Sequence, residues 1–292
     1  MAESGHYKVI GRLAITCVLC ALYSHFANAQ VSFPAATIAE SSSASIPRAY
    51  EQPLRFADAR GALRLACRRK YSSNASDMAE RAIIIGFVGG FVRGDDLNHP
   101  EVQFADFLRE RYGEKVNVEV FSNHNGKQAL GRVLQLLDTA KGVQPVFEKR
   151  QVDIVIYGHS WGGSQTIALA QYLGRLGIPV QLTVQVDSVR KLHQQDSTIP
   201  SNVAKAINFY QTKGPIHGRS AIRAADPERT HILDNVEMKY SRHSINCRNY
   251  PVLARLLNKP HHEIENDPRV WDRITLLIDA VVSLKTSAAT LP

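Results

Sequence analysis

The segment Gly158-His159-Ser160-Trp161-Gly162-Gly163 is the part of the chain best equipped for chemistry. Its Gly-x-Ser-x-Gly spacing is that of a nucleophile elbow, a sharp strand-to-helix turn that lifts a serine hydroxyl above the edge of a sheet. Glycines two residues to either side let such a turn close without side-chain clashes. The N-terminus of the following helix then faces the negative charge that develops when the serine attacks a carbonyl. The chemistry in view is therefore acyl transfer through Ser160. An ordinary turn with a capping serine can show the same five letters, so the flanking elements decide between the two readings.

Those flanks have the required form. Val152 to Tyr157 is a short β-branched run suited to a strand buried on both faces of a parallel sheet. Ser164 to Leu176 reads as a helix with Ile167, Leu169, Ala170 and Leu173 on its apolar face and a stop at Gly174 or Gly177. Strands are expected at Ala82 to Val88, Val116 to Phe121, Val180 to Val186, Val203 to Tyr210 and His231 to Tyr240. Helices are expected at Glu101 to Tyr112, Gln128 to Ala140 and Val270 to Leu284, with a short one around Ala62 to Arg69. This alternation predicts an α/β fold, a doubly wound, mostly parallel sheet of about six strands.

At this point the chain resembles the α/β-hydrolase superfamily, over roughly residues 81 to 286. The resemblance implies an esterase- or lipase-like serine hydrolase whose triad runs serine, acid, histidine along the chain, with no cofactor and no metal. Two acids fit. Asp187 ends the strand Val180 to Val186, whereas Asp226 lies in a later loop before Pro227, where it can simply open a turn, and Asp187 is preferred. Three histidines fit the stretch between last strand and last helix: His243, His261 and His262. His261 is preferred, because the run from His261 to Asp267-Pro268 resembles the family's arrangement of histidine, hydrophobic anchor and helix start. The adjacent pair lacks a second ligand cluster at metal-binding spacing. His159 reads as a packing residue of the elbow. The oxyanion hole implied by the resemblance takes one backbone N–H from Trp161 and another from the Gly86-Phe87-Val88-Gly89-Gly90 loop, at Val88 or Gly89. Asn98, His99 and Trp161 are expected to line the pocket. Only residues 188 to 202 separate the strand after the elbow helix from the next one, which leaves no room for a cap domain; loops 188–202 and 213–229 are expected to flank the site.

The N-terminus reads as a secretory signal. Lys8 and Arg12 precede the apolar run Leu13 to Leu22, and Ala27-Asn28-Ala29 forms a small-residue cleavage site that frees a chain beginning at Gln30. Residues 30 to 53, rich in Ser, Ala and Pro, read as a flexible linker, and 54 to 292 as a single hydrolase domain. A periplasmic or secreted location follows. Cys17 and Cys20 would leave with the signal, and the remaining pair, Cys67 and Cys247, is expected to form a disulfide in an oxidising compartment. The formal net charge of +8 falls to +7 with the loss of Lys8, Arg12 and Glu3. That balance suits peripheral contact with anionic surfaces, but no basic block interleaved with aromatics points to nucleic acid. The expected partner is a small ester or lipid substrate.

Overall fold

The computed structural model describes residues 82–142, 152–240 and 245–288. The expected signal, linker and 62–69 helix, together with Cys67 and His243, lie outside the described residues. Six strands form one sheet: β1 (Ala82–Val88), β2 (Val116–Ser122), β3 (Asp153–His159), β4 (Val180–Val186), β6 (Val203–Tyr210) and β8 (His231–Glu237). Their order is β2-β1-β3-β4-β6-β8 and every pairing is parallel. This is the doubly wound α/β sheet read from the sequence.

The central strands explain the topology. All seven residues of β1 (Ala-Ile-Ile-Ile-Gly-Phe-Val) and of β3 are buried, so both faces of the sheet need a covering layer. Ile83, Ile85 and Phe87 face one side with Ile154 and Ile156, against Ala129 and Val133 of α2 (Gly126–Gly142) and Ile167, Leu169 and Leu173 of α3 (Trp161–Arg175). On the other side Phe104 of α1 (Pro100–Tyr112) meets Tyr157 of β3 and Trp271 of α5 (Pro268–Ala288), their ring centroids 5.0 to 6.1 Å apart. β8, at the edge, is partly exposed, and its pairing with β6 is irregular between Ala206 and Ile207.

Two features differ from the sequence reading. Residues 188–202 and 213–229 are not plain loops: they contribute β5 (Thr198–Ile199) and β7 (Arg223–Ala224), which pair with each other as a small parallel sheet. The histidine-bearing segment is not an open loop either. It forms α4 (Val252–Glu265), broken at Asn258, whose φ of −144° is non-helical, and carrying Pro260. Pro260 has no N–H to give and so suits the first turn of a helix that restarts after Asn258, and the two residues interrupt the apolar periodicity that would have announced one helix. Pro260 thereby opens a separate short helical stretch on which His261 stands.

Candidate active site

In open α/β sheets, ligands bind outside the carboxyl ends of the strands where the strand order reverses. Here β1 lies between β2 and β3, and Ser160 follows the last residue of β3 directly. Ser160 has φ 55° and ψ −123°, a conformation that L-residues avoid, and it caps α3 without any side-chain capping bond. The turn holds because its carbonyl accepts N–H bonds from Gly163 at 3.0 Å and Val189 at 3.1 Å, while its own N–H donates to Val186 O at 2.9 Å. The glycines are needed for closure. A Cβ on Gly158 would meet the Gly162 carbonyl at 2.5 Å, and one on Gly162 would meet Phe87 O at 2.2 Å.

The Ser160 hydroxyl donates to His261 Nε2 at 2.9 Å, and His261 Nδ1 donates to Asp187 Oδ2 at 2.6 Å. The carboxylate can only accept, so it fixes the tautomer that leaves Nε2 free to take a proton from the serine. Asp187 is fully buried. Burial alone would raise its pKa, but hydrogen bonds from His261, Gln211 and the Gly218 amide hold the carboxyl below its ordinary value. Gln211 Nε2 reaches Oδ2 at 2.8 Å, and the Gly218 N–H reaches Oδ1 at 2.6 Å. Asp187 also has a positive φ, 43°. Among the described residues only His193 joins Ser160 and Asp187 as a non-glycine with φ above zero.

The alternates are placed elsewhere. Asp226 makes a local turn, its Oδ1 accepting from Glu228 N at 3.1 Å and its carbonyl from Thr230 N at 2.9 Å. His262 is buried and stacked on Tyr250 at 3.6 Å, and burial pushes its pKa far down, which keeps it neutral. His159 is likewise neutral, lowered to about 4 by burial, and its Nε2 donates to the His261 carbonyl at 3.2 Å.

Trp161 is the first residue of α3, so its N–H has no acceptor within the helix and faces the site with the helix's positive end. Val88 ends β1, and Gly89 follows so close to the elbow that an added Cβ would lie 2.9 Å from Ser160 Cβ. Sequence reasoning missed the residue that anchors this loop. Asn123 Nδ2 donates to Val88 O at 3.1 Å and Gly90 O at 2.5 Å, and Asn123 in turn accepts two bonds from Lys191 Nζ, at 2.9 and 3.0 Å. Nor did it anticipate Gln211, although that residue directly follows β6, the strand beside β4. Of the expected pocket residues, Trp161 joins a surface cluster with half-exposed Phe91, at 5.5 Å, and His124, at 6.2 Å. Asn98 instead bonds to Asp96, and His99 is buried against Glu265 and Tyr250. The expected partner of Cys67, Cys247, is a buried thiol pushed up to about 12, first by burial.

The parallel sheet, with its serine elbow after β3, gives the chain an α/β-hydrolase fold. No family model matches the sequence, and no curated protein matches it. Solved structures with some likeness include the RedJ thioesterase from the prodiginine biosynthetic pathway in Streptomyces coelicolor. It is 12% identical, covers 74% of this chain and 98% of that one, and has a TM-score of 0.36. An arylesterase is 12% identical over 70% of this chain and 75% of its own, with a TM-score of 0.35.

Proposed function

We propose that this protein is a serine hydrolase that cleaves a carboxylic ester through an acyl-enzyme on Ser160. The observation that carries the reading is the unbroken chain of hydrogen bonds from Ser160 through His261 to Asp187. As Ser160 Oγ attacks the carbonyl carbon, its proton passes to His261 Nε2, and the imidazolium formed is stabilised by Asp187. The oxyanion takes hydrogen bonds from the Trp161 N–H and from an amide of the 88–89 loop. His261 then returns the proton to the departing alcohol, and water, deprotonated by the same nitrogen, releases the acid.

A thioester is the second substrate class, favoured by one feature: the acid directly follows β4, the strand after the elbow helix. A hydrolase-fold protein that binds a ligand without turning it over is the reading from outside enzymology. The protein acts outside the cytoplasm on this account, as Lys8, Arg12, the apolar run and Ala27-Asn28-Ala29 suggest.

A panel of p-nitrophenyl esters and acyl thioesters of graded chain length separates these readings. Turnover of at least one ester, lost by about 10⁴-fold or more in both Ser160→Ala and His261→Ala, is the expected outcome. Folded protein that turns over no member of the panel would favour the binding role, and thioesters alone would favour the second class.

A further inference from the structure

Beside the Ser160 elbow, four ionisable side chains from three elements converge. His99 and Glu101 come from the start of α1, His159 from the end of β3, and Glu265 from the end of α4. All four are buried, both glutamates completely. His159 spends its Nε2 proton on the His261 carbonyl, so its Nδ1 carries a lone pair. That lone pair faces Glu101 Oε1 and Glu265 Oε2, each 3.6 Å away. Neither Glu101 oxygen makes a hydrogen bond of good geometry, although the Gly89 amide and the Glu265 carboxyl lie near it. Glu265 is better served, with His99 Nδ1 donating to Oε1 at 2.9 Å and the Tyr250 hydroxyl to Oε2. Three electron-rich edges thus meet in a buried space, and two carboxyl groups there, if both ionise, carry more negative charge than the single His99 imidazole paired with Glu265 can balance.

We propose that His99, Glu101 and Glu265, joined by His159 on a small shift of its ring, form a binding site for one divalent transition-metal ion, with Zn²⁺ the best chemical match. The donor set of two imidazoles and two carboxylates suits Zn²⁺ and its neighbours better than Ca²⁺ or Mg²⁺, which take oxygen ligands. Tetrahedral Zn²⁺ with bonds of about 2.1 Å holds its ligand atoms about 3.4 Å apart. The ligand atoms of His99, Glu101 and Glu265 all fall within 4.8 Å of one another, and His159 Nδ1, 3.6 Å from an oxygen of each glutamate, stands just outside that group. Two positive charges balance the two carboxylates. Ligation by His99 Nδ1 moves its proton to Nε2, which lies 3.9 Å from Asp96 Oδ2, beyond hydrogen-bond reach, while His159 already donates to a backbone carbonyl. A backbone acceptor of that kind is what orients a metal-bound imidazole. The ion would join α1, β3 and α4, the elements that carry the elbow and His261, and it lies outside the proton path of the triad, so the site does not depend on the hydrolase reading.

The test uses the full chain, purified without chelator, with metal content measured by mass spectrometry. After dialysis against EDTA, ZnCl₂ alone and, in parallel, MnCl₂ alone are titrated in by calorimetry and thermal melting. One ion per chain and a rise in Tm of about 4 °C or more at saturation are expected. Glu101→Gln and Glu265→Gln, checked for folding by circular dichroism, are expected to weaken binding at least about 10- to 100-fold, whereas His217→Ala leaves it unchanged. Wild-type protein that neither retains nor binds either ion overturns the proposal and leaves a proton shared between Glu101 and Glu265 as the explanation. Ion binding that persists undiminished in both glutamine variants overturns it as well. Should a variant fail to fold, the wild-type stoichiometry and melting shift decide alone.

Discussion

Asp187 illustrates how much of a candidate triad depends on residues that never touch substrate. Its two oxygens accept from His261, Gln211 and Gly218, and these bonds outweigh burial to hold its pKa below the ordinary value. A carboxyl whose folded pKa is depressed contributes stability that is present above its unfolded pKa of about 3.9 and is lost as pH falls through the lower folded value. Asp187→Asn should therefore melt below wild type at neutral pH, and the gap in Tm should narrow as the melts are taken to acid below about pH 4. A gap that widens toward acid would show that the carboxylate is not stabilised in the fold. The same variant should lose about 10⁴-fold in kcat, because an asparagine in this place favours the wrong imidazole tautomer.

At the scale of elements, α4 is what delivers His261. Its break at Asn258 and the fixed φ of Pro260 set the direction in which the second half of the helix leaves, and Asn258 Oδ1 helps hold the bend by accepting from Ile216 N at 3.3 Å. Pro260→Ala lets residues 252–265 relax toward one continuous helix, and displacements of about 1 Å at a reacting group can cost about 100-fold in rate. The expected result is a kcat lower by about 10- to 100-fold with melting little changed; unaltered kcat would mean the bend is not what positions His261. This element was also the least legible in the sequence, since the proline and the non-helical asparagine interrupt its 3.6-residue period. The inner strands were readable because each is a short β-branched or apolar run, while edge strand β8, His-Ile-Leu-Asp-Asn-Val-Glu, carries a weaker pattern. Ser160 and Asp187 stood out for a related reason, each coming directly after such a run. Glu101 and Glu265 gave no signal: a glutamate in a helix is usually a solvated charge, and only the fold brings these two behind the elbow.

For the whole molecule, export and catalysis are separable claims. The full chain expressed in a bacterial host is expected to yield, in the periplasm or medium, a product whose intact mass begins at Gln30; full-length protein confined to the cytoplasm would contradict the signal reading. Among the described residues no helix is long and apolar enough to cross a membrane. The described sheet places Ser160 in a strained turn, with 9% of its surface exposed, at the carboxyl edge where the strand order reverses between β1 and β3. The measurement that bears most directly on the central claim is labelling with a fluorophosphonate probe, read by intact mass and peptide mapping. One adduct per chain on Ser160 is expected, absent in Ser160→Ala and greatly slowed in His261→Ala. Folded wild-type protein that takes up no label, or that takes it up at another residue, would contradict it.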